Sequence, residues 1–566
     1  MHVVTPRPPR PALSALLPAL LGAAILAGSA SAQIGNVLSF KKQSDTQGTF
    51  TATLDNIDEF GGSAVGLGDL DGAGPSAYAV ASGVALDDDG GTDKGAVYIL
   101  FFDTAGNVLS YTKISATGGG LTGPLDLTDE FGTSVAFLGD LDGPGPSVAA
   151  IAVGAPGDDD GGGGRGAVYI LFLNATGNVI AEQKISSTVG GLVATIDSLD
   201  ELGGAVSWLG DLDGAGPSAA TIAVGAVGDD DGGTDRGAIY IMFLSRAGLV
   251  LSNQKISSLA GGFTGQLTSF DDFGGAVANL WDLDGAGPSV RAVAVGATFD
   301  DDGGFDRGAI WVLFLNKAGV VLSHQKISSL AGNLSATLET GDEFGGNLEN
   351  LGDMDAGGAG VATLAATASG DDDGGLDHGA VYLLHLASTG NIVSMSKISN
   401  TTGGFTATLH DLDGFGSAVG FLGDLDGAGP SGVTIAVGAG GDDDGGGDRG
   451  ALYILFLSGT PTTDAPWEPG SGAVAVMGAA KPNPFRLSTS IPIRLGRAGQ
   501  VELEICDVSG RLVRRFDAEL VGAGEQSVRW DGRDDAGRSL PTGTYFLHLL
   551  VNGRAAAGVR KAVLLR

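Results

Sequence analysis

The chain has 566 residues, with 66 acidic and 31 basic side chains and a formal net charge of −35. A surface this acidic argues against nucleic acid as a partner, because contacts to phosphates need a basic surface. The chain contains one cysteine, Cys506, which excludes an internal disulfide framework.

Residues 1–32 are predicted to be a secretory signal peptide. Arg7 and Arg10 precede an apolar run over residues 12–28, and residues 30–32 are small, as a signal peptidase requires. A membrane anchor is the alternative, but the run is short for a membrane span. We therefore expect a bacterial protein that is secreted or held at the cell surface, with no transmembrane segment after cleavage.

Six copies of one sequence unit follow without insertions. Each copy begins with an aspartate, and the spacing from Asp58 to Asp129 is 71 residues, as it is between all later copies. The six aspartates are Asp58, Asp129, Asp200, Asp271, Asp342 and Asp413. Each unit contains four short segments rich in β-branched and aromatic residues, separated by Gly and Asp. This pattern predicts one four-stranded antiparallel sheet per unit.

The two ends of the repeated region indicate how the sheets assemble. A lysine opens a KIS segment between consecutive units, at Lys113, Lys184, Lys255, Lys326 and Lys397, and Lys42 precedes the first unit in the same register. The last unit lacks this segment. We therefore predict that a strand near residues 37–44 completes the sixth sheet. The fold class is then all-β, with residues 33–459 forming a β-propeller of six blades that closes by strand exchange and leaves no edge open.

The repeat resembles the FG-GAP repeat of integrin α-subunit β-propellers. The matching residues are Phe60-Gly61, Phe131-Gly132, Leu202-Gly203, Phe273-Gly274, Phe344-Gly345 and Phe415-Gly416, together with the Val-Gly-Ala segments that begin at Val153, Val224, Val295 and Val437. The resemblance covers about three quarters of the chain. It implies an extracellular β-propeller that binds calcium and a ligand. Integrin-type rings have seven blades, so seven is the alternative to six.

The first acidic loop of each unit has the pattern Asp-x-Asp-Gly. Its aspartates are Asp69, Asp71, Asp140, Asp142, Asp211, Asp213, Asp282, Asp284, Asp353, Asp355, Asp424 and Asp426. Carboxylates at alternate positions of a loop that turns at a glycine suit Ca²⁺. The resemblance implies calcium here, although acids that the family carries at later loop positions are absent. The alternative is that these aspartates cap tight turns by accepting backbone N–H groups.

The second acidic loop contains three consecutive aspartates before two glycines. Its first and third aspartates are Asp87, Asp89, Asp158, Asp160, Asp229, Asp231, Asp300, Asp302, Asp371, Asp373, Asp442 and Asp444. Adjacent carboxylates repel one another unless a cation lies close to them. We predict that calcium or a neighbouring basic residue, such as Lys94 or Arg236, fills this role. A solvated acidic rim is the alternative.

A different domain is predicted at residues 476–566, after a linker at residues 460–475 that is rich in Pro, Gly, Thr and Ser. Its segments alternate apolar and polar residues, which is typical of a β-sandwich. It resembles the immunoglobulin-like domain of FlgD-like proteins and the C-terminal sorting domains of type IX secretion cargo, through residues 483–485, 507–511, 530–532 and 541–545. The resemblance implies a role in export or surface attachment.

The sequence indicates no enzyme. Its six histidines share no repeated position, and no unit carries the long insertion that a catalytic site on a propeller usually adds. We therefore predict a non-catalytic, monomeric protein that mediates adhesion or binds an extracellular protein or glycan. The alternatives are a structural surface or matrix protein without a specific ligand, and an enzyme that acts on polysaccharides.

Overall fold

A computed structural model describes residues 34–72, 74–143, 145–214, 216–285, 287–354, 360–427 and 431–459, and parts of the C-terminal region. Those parts are 475–477, 485–486, 488–495, 499–507, 511–521, 524–534, 538–551, 554–555 and 560–565. The predicted signal peptide and nearly all of the predicted linker lie outside them. Every strand or helix in the described ranges is a β-strand, which confirms the all-β prediction. These ranges accordingly contain no helix that could cross a membrane.

Six four-stranded antiparallel sheets occupy the described residues between Val37 and Leu457. The first strand of the chain is β1 (Val37–Ser44). Sheet 1 consists of β2 (Ser63–Gly68), β3 (Tyr78–Val84), β4 (Ala96–Phe102) and β5 (Val108–Ser115). Sheet 2 consists of β6 (Val135–Gly139), β7 (Ala149–Ala155), β8 (Ala167–Leu173) and β9 (Val179–Ser186). Sheet 3 consists of β10 (Leu202–Gly210), β11 (Ala220–Ala226), β12 (Ala238–Leu244) and β13 (Val250–Ile256).

The last of these sheets includes the first strand of the chain. Sheet 4 consists of β14 (Phe273–Asn279), β15 (Arg291–Ala297), β16 (Ala309–Leu315) and β17 (Val321–Ile327). Sheet 5 consists of β18 (Leu348–Asn350), β19 (Ala362–Ala368), β20 (Ala380–Leu386) and β21 (Ile392–Ser399). Sheet 6 consists of β22 (Phe415–Phe421), β23 (Val433–Ala439), β24 (Ala451–Leu457) and β1. Val37 lies opposite Leu457 and Ser44 opposite Ala451, so β1 completes this sheet as the position of Lys42 predicts.

The core lies between successive sheets. The middle strands are almost entirely buried; β7 and β8, for example, expose none of their residues. Continuous apolar runs of this kind are typical of strands that are covered on both faces. The fourth strands are more polar, and β5 leaves Leu109, Ser110 and Tyr111 exposed. The fourth strand therefore forms the solvated edge of its sheet.

The first strands of the six sheets contact one another in chain order, and β22 of sheet 6 also contacts β2 of sheet 1. The hydroxyl of Ser63 donates a hydrogen bond to the carbonyl of Gly132 in the next sheet at 2.8 Å, and Ser134 donates to Gly203 in the same way. Glycine permits this close approach, since a Cβ on Gly154 would lie 1.9 Å from the Gly203 carbonyl oxygen. The first strands thus line a shared central space.

The C-terminal region contains eight further strands among its described residues. They are β25 (Ala475–Met477), β26 (Thr489–Leu495), β27 (Gly499–Asp507), β28 (Leu512–Val521), β29 (Gly524–Trp530), β30 (Gly543–Val551), β31 (Arg554–Ala555) and β32 (Arg560–Leu564). One sheet contains β25, β26 and β29, and the other contains the remaining strands. Trp530 is fully buried, with ring centroids 5.2 Å from Phe485 and 5.3 Å from Tyr545. The two antiparallel sheets share one apolar core.

Candidate functional site

The second acidic loop binds a lysine in all six sheets. The lysine of the KIS segment lies 2.5–3.0 Å from the first and third aspartates of the loop. In sheet 1, the Nζ of Lys113 lies 2.6 Å from Asp87 and 2.8 Å from Asp89. The equivalent groups are Lys184 with Asp158 and Asp160, Lys255 with Asp229 and Asp231, Lys326 with Asp300 and Asp302, Lys397 with Asp371 and Asp373, and Lys42 with Asp442 and Asp444.

Strand register explains why this lysine reaches the loop. Lys113 on β5 lies opposite Tyr98 on β4, and its ammonium lies 5.5 Å from the centroid of the tyrosine ring. A cation over an aromatic face is attracted by the ring quadrupole. Ser115, two residues further along β5, donates a hydrogen bond to Asp89 at 3.1 Å. The KIS segment therefore supplies the loop with a positive charge and a hydroxyl.

The ion pairs are partly shielded from water. Asp87 is 2% exposed, whereas the side chain of Asp89 is 41% exposed. Burial acts to raise the pKa of Asp89, but hydrogen bonds from Lys113, Ser115 and Thr117 outweigh burial and lower this pKa. Burial acts to lower the pKa of Lys113, but the two carboxylates that it contacts raise it above its ordinary value. Asp89 and Lys113 are therefore both charged at neutral pH.

The basic residue next to the second acidic loop in sequence was predicted as a partner of its aspartates. This prediction is wrong for Lys94 and Arg449, whose contacts the structure describes. Lys94 donates a hydrogen bond to the carbonyl of Leu125 at 2.5 Å instead. Its counterpart Arg449 pairs with Asp45, at 2.5 Å. The hairpin of the third and fourth strands brings the KIS lysine to the loop from 26 residues away, and sequence distance alone does not reveal this.

The first acidic loop forms a hydrogen-bonded turn. Asp69 accepts the N–H of Gly72 at 2.9 Å, and Asp71 accepts the N–H of Ser76 at 3.3 Å. This is the behaviour of aspartates that cap turns. The equivalent aspartates are Asp140, Asp142, Asp211, Asp213, Asp282, Asp284, Asp353, Asp424 and Asp426, and Asp355 lies outside the described residues. Burial first, and then the adjacent aspartate, raise the pKa of Asp211 and of Asp424 to about 6.

The described carboxylate groups of the two loops do not fit a calcium ion. At the second loop, an ammonium group occupies the position between two carboxylates that a cation would take. Ca²⁺ takes about 6–8 oxygen ligands, and the described residues bring together no group of three or more Asp, Glu, His or Cys side chains that could hold a metal ion. The described contacts therefore favour ion pairs and turn caps at these loops over the calcium that the resemblance implies.

A third set of acids begins each repeat and is buried. Asp58 is 4% exposed and accepts the N–H of Asp55 at 2.7 Å. Burial is the main cause that raises the pKa of Asp58 to about 7, and it raises the pKa of Asp129 and of Asp200 to about 6. The sequence marks these residues only as the start of a repeat. In the structure, burial raises the pKa of Asp58, Asp129 and Asp200 well above the ordinary value for aspartate.

A cavity of about 290 Å³ lies between the first strands of the six sheets. Its size is near the lower end of the range for ligand pockets, about 300–1,000 Å³. The lining residues include Ser63 from sheet 1, Thr133 from sheet 2, Trp208 from sheet 3, Trp281 from sheet 4 and Glu349 from sheet 5. Sequence reasoning missed this site, because it followed the acids that repeat and not the positions that differ.

The largest departures from the repeat are two tryptophans of the cavity. Trp281 has φ of 55°, whereas the other five sheets have glycine at this position, with φ of 69–75° at Gly68, Gly139, Gly210, Gly352 and Gly423. Trp208 and Trp281 pack edge to face, with centroids 5.5 Å apart. The guanidinium of Arg291 lies 4.8 Å from the Trp281 ring. A bulky residue at positive φ is a strained outlier of the kind that clusters at functional sites.

Two asparagines link the strands on this side of the cavity. Asn279 donates a hydrogen bond to the carbonyl of Trp208 at 3.0 Å and accepts the N–H of Trp281 at 2.9 Å. Asn350 donates to the carbonyl of Asn279 at 2.8 Å and accepts the N–H of Gly352 at 3.0 Å. Asn279 and Asn350 occupy the repeat position of Trp208. They thus link sheets 3, 4 and 5 along one side of the cavity.

Comparison with known families identifies the C-terminal region. Residues 490–550 match the model of the FlgD Ig-like domain, which confirms the predicted resemblance of this region. The match leaves the repeated region uncovered. No curated protein matches the chain.

Three solved structures resemble the chain distantly. PorZ, described as a bacterial surface component of the type IX secretion system of Porphyromonas gingivalis, has 12% identity and a TM-score of 0.30 over 86% of this chain. The chain spans 58% of PorZ. FlgD from P. aeruginosa has 23% identity and a TM-score of 0.12, over 14% of this chain and 66% of FlgD. A family 43 arabinoxylan arabinofuranohydrolase from Bacillus subtilis has 9% identity and a TM-score of 0.30, over 90% of this chain and 95% of the enzyme. TM-scores below 0.5 do not establish a shared fold.

Proposed function

We propose that this protein is an exported, non-catalytic β-propeller of six blades that binds an extracellular ligand in adhesion at the cell surface. The six four-stranded sheets would be its blades. Contacts between β22 and β2 support a closed ring, because they join the last sheet to the first. The pairing of β1 with β24 supports strand exchange, because it leaves no repeat with fewer than four strands.

The cavity between the first strands is the feature that supports ligand binding. Five of the sheets contribute a polar or tryptophan side chain to it, and three of these residues, Trp208, Trp281 and Glu349, occur in none of the other repeats at the equivalent position. A structural array needs only the residues that all repeats share, whereas a pocket with a few distinct polar groups is the usual form of a small-ligand site. The acidic loops favour a non-catalytic role, since lysines and backbone N–H groups engage the described aspartates.

The FlgD-like domain would serve export or surface attachment. We would compare the full chain with a chain that ends at residue 459, both carrying the same epitope tag, in the bacterium that produces them. Loss of the shortened chain from the surface, with secretion into the medium, would support attachment. Retention of both chains at the surface would contradict this role.

Ligand binding is tested with the purified protein on arrays of extracellular proteins and of glycans. Saturable capture of one class of ligand would support the proposal. Self-assembly in light scattering without any capture would favour a structural matrix protein. Release of new reducing ends from polysaccharides would favour an enzyme and overturn the non-catalytic assignment.

A further inference from the structure

We propose that the side of the cavity formed by sheets 3, 4 and 5 binds a neutral saccharide. This inference deepens the proposed function and rests on it, since it names the ligand class of the same cavity. The side is defined by Trp208, Trp281, Ser207 and Glu349, which line the cavity, and by Arg291, which packs on Trp281.

Two tryptophans give this side of the cavity an aromatic surface. Trp208 and Trp281 are half-buried, and both line the cavity. The apolar C–H face of a sugar ring can pack on such a surface, while its hydroxyls remain directed to polar groups. Tryptophan suits this contact, because it offers a large and rigid apolar area.

Two polar side chains supply hydrogen-bonding groups to the same side of the cavity. Ser207 and Glu349 bring a hydroxyl and a carboxylate to the cavity beside the tryptophans. The equivalent position of Ser207 and Glu349 is Ala136 in sheet 2 and Ala278 in sheet 4. The polar groups are therefore additions to a repeat that folds without them. Hydroxyl-rich ligands are recognised by a few polar groups placed in a largely apolar pocket.

The charged side chains near this side of the cavity bear on the charge of the ligand. The guanidinium of Arg291 lies beside Gly210, which precedes Asp211, and Asp282 directly follows Trp281. Burial is the main cause that raises the pKa of Asp211 and of Asp282, and Arg291 opposes this rise without cancelling it. Acids thus flank the cation at this side of the cavity, and the chain as a whole carries a net charge of −35. An anionic sugar would meet this field unfavourably. A neutral saccharide would bind without that cost.

Trp281 has a backbone conformation that glycine adopts in the other repeats. Five sheets place glycine in the same left-handed conformation, so the turn does not require a side chain there. Tryptophan at this position strains the backbone where glycine would not. Because Trp281 lies beside Trp208 and Arg291 in the cavity, contact with a ligand would explain why a strained residue is found there.

The experiment measures saccharide binding to the purified full chain by calorimetry and by tryptophan fluorescence. The probes are cellobiose, maltotriose and chitobiose, with digalacturonic acid as the charged comparison. Two variants restore residues that other repeats carry, namely Trp281→Gly and Ser207→Ala. The control is Trp311→Tyr, because Trp311 is 4% exposed on β16 and all the equivalent residues are tyrosines.

We expect saturable binding of at least one neutral probe, weakened at least tenfold by Trp281→Gly and severalfold by Ser207→Ala. Trp311→Tyr should bind like the natural chain. Circular dichroism establishes that each variant is folded. Binding that Trp281→Gly leaves unchanged would overturn the location of the site, and preference for the charged probe would overturn the ligand class. If no saccharide binds but the arrays capture a protein, this inference fails while the proposed function stands. If neither probe nor array ligand binds, both fail.

Discussion

The ion pair of Lys42 offers the sharpest test of how the repeated region is held together. Its ammonium lies 2.5 Å from Asp442 and 2.8 Å from Asp444, and it joins the first strand of the chain to the last sheet. We consider the substitution Lys42→Met, which keeps the length of the side chain and removes its charge. Asp442, whose side chain is 2% exposed, then loses its counter-ion.

The expected loss follows from burial. Removing one partner of a fully buried ion pair costs about 3–5 kcal/mol, because the remaining charge is left without compensation. The side chains of Lys42 and Asp444 are 11% and 21% exposed, so water compensates part of the loss. We therefore expect a decrease in the free energy of unfolding of about 2–4 kcal/mol. Urea unfolding followed by circular dichroism measures this decrease, and hydrogen exchange over residues 37–44 shows whether β1 opens.

A matched control lies one residue away. Lys41 is on the same strand but is exposed, and Lys41→Met should change stability by no more than about 0.5 kcal/mol. Adding Asp442→Asn to Lys42→Met removes the unpaired charge and should recover a large part of the loss. Equal stability of the two lysine variants would refute the reasoning, because the buried pair would then contribute nothing beyond an ordinary surface charge.

Three further predictions concern pH, packing and calcium. The pKa of Asp58 is raised to about 7, so its contribution to stability is complete below the ordinary pKa near 4 and is lost as pH rises through 7. Asp129 and Asp200 act likewise near pH 6, so the melting temperature should be higher at pH 5 than at pH 8, and a rise over that range would contradict the assignment. Gly154→Ala should destabilise the fold by several kcal/mol through the clash described above, whereas Gly447→Ala, which meets nothing within 4 Å, should be close to neutral in the same thermal scan. Calcium should not raise the melting temperature of the natural chain relative to chelator at matched ionic strength, and a rise that magnesium cannot reproduce would restore calcium to the acidic loops.

The sequence was sufficient to predict an all-β chain with one four-stranded sheet per repeat, because the relevant information is local and repeated. Alternation of apolar segments with Gly and Asp defines four strands per unit, and the constant spacing places them in register. The position of Lys42 relative to the later KIS lysines predicts that β1 belongs to sheet 6. The FlgD-like region was predictable because short motifs between residues 483 and 545 resemble that domain, and residues 490–550 match its model. These features depend on neighbours in sequence and on periodicity.

The roles of the acidic residues depend on contacts that sequence distance does not reveal. Lys94 is next to the second loop in sequence, yet the loop binds Lys113, because the β4–β5 hairpin sets Lys113 opposite Tyr98 and beside Asp87. Periodicity identified the acids but could not distinguish a metal ligand from an ion-pair partner. That distinction is made by the geometry of the hairpin.

The cavity shows the same limit most clearly. The exchange of glycine for tryptophan at position 281 is visible when the repeats are aligned, but its meaning is not. By itself the sequence determined the strands, their repetition and the completion of sheet 6 by β1, because these follow from local pattern and spacing. Only the tertiary structure decided that Trp208 and Trp281 meet, since packing of the first strands against one another brings residues from separate repeats to one cavity.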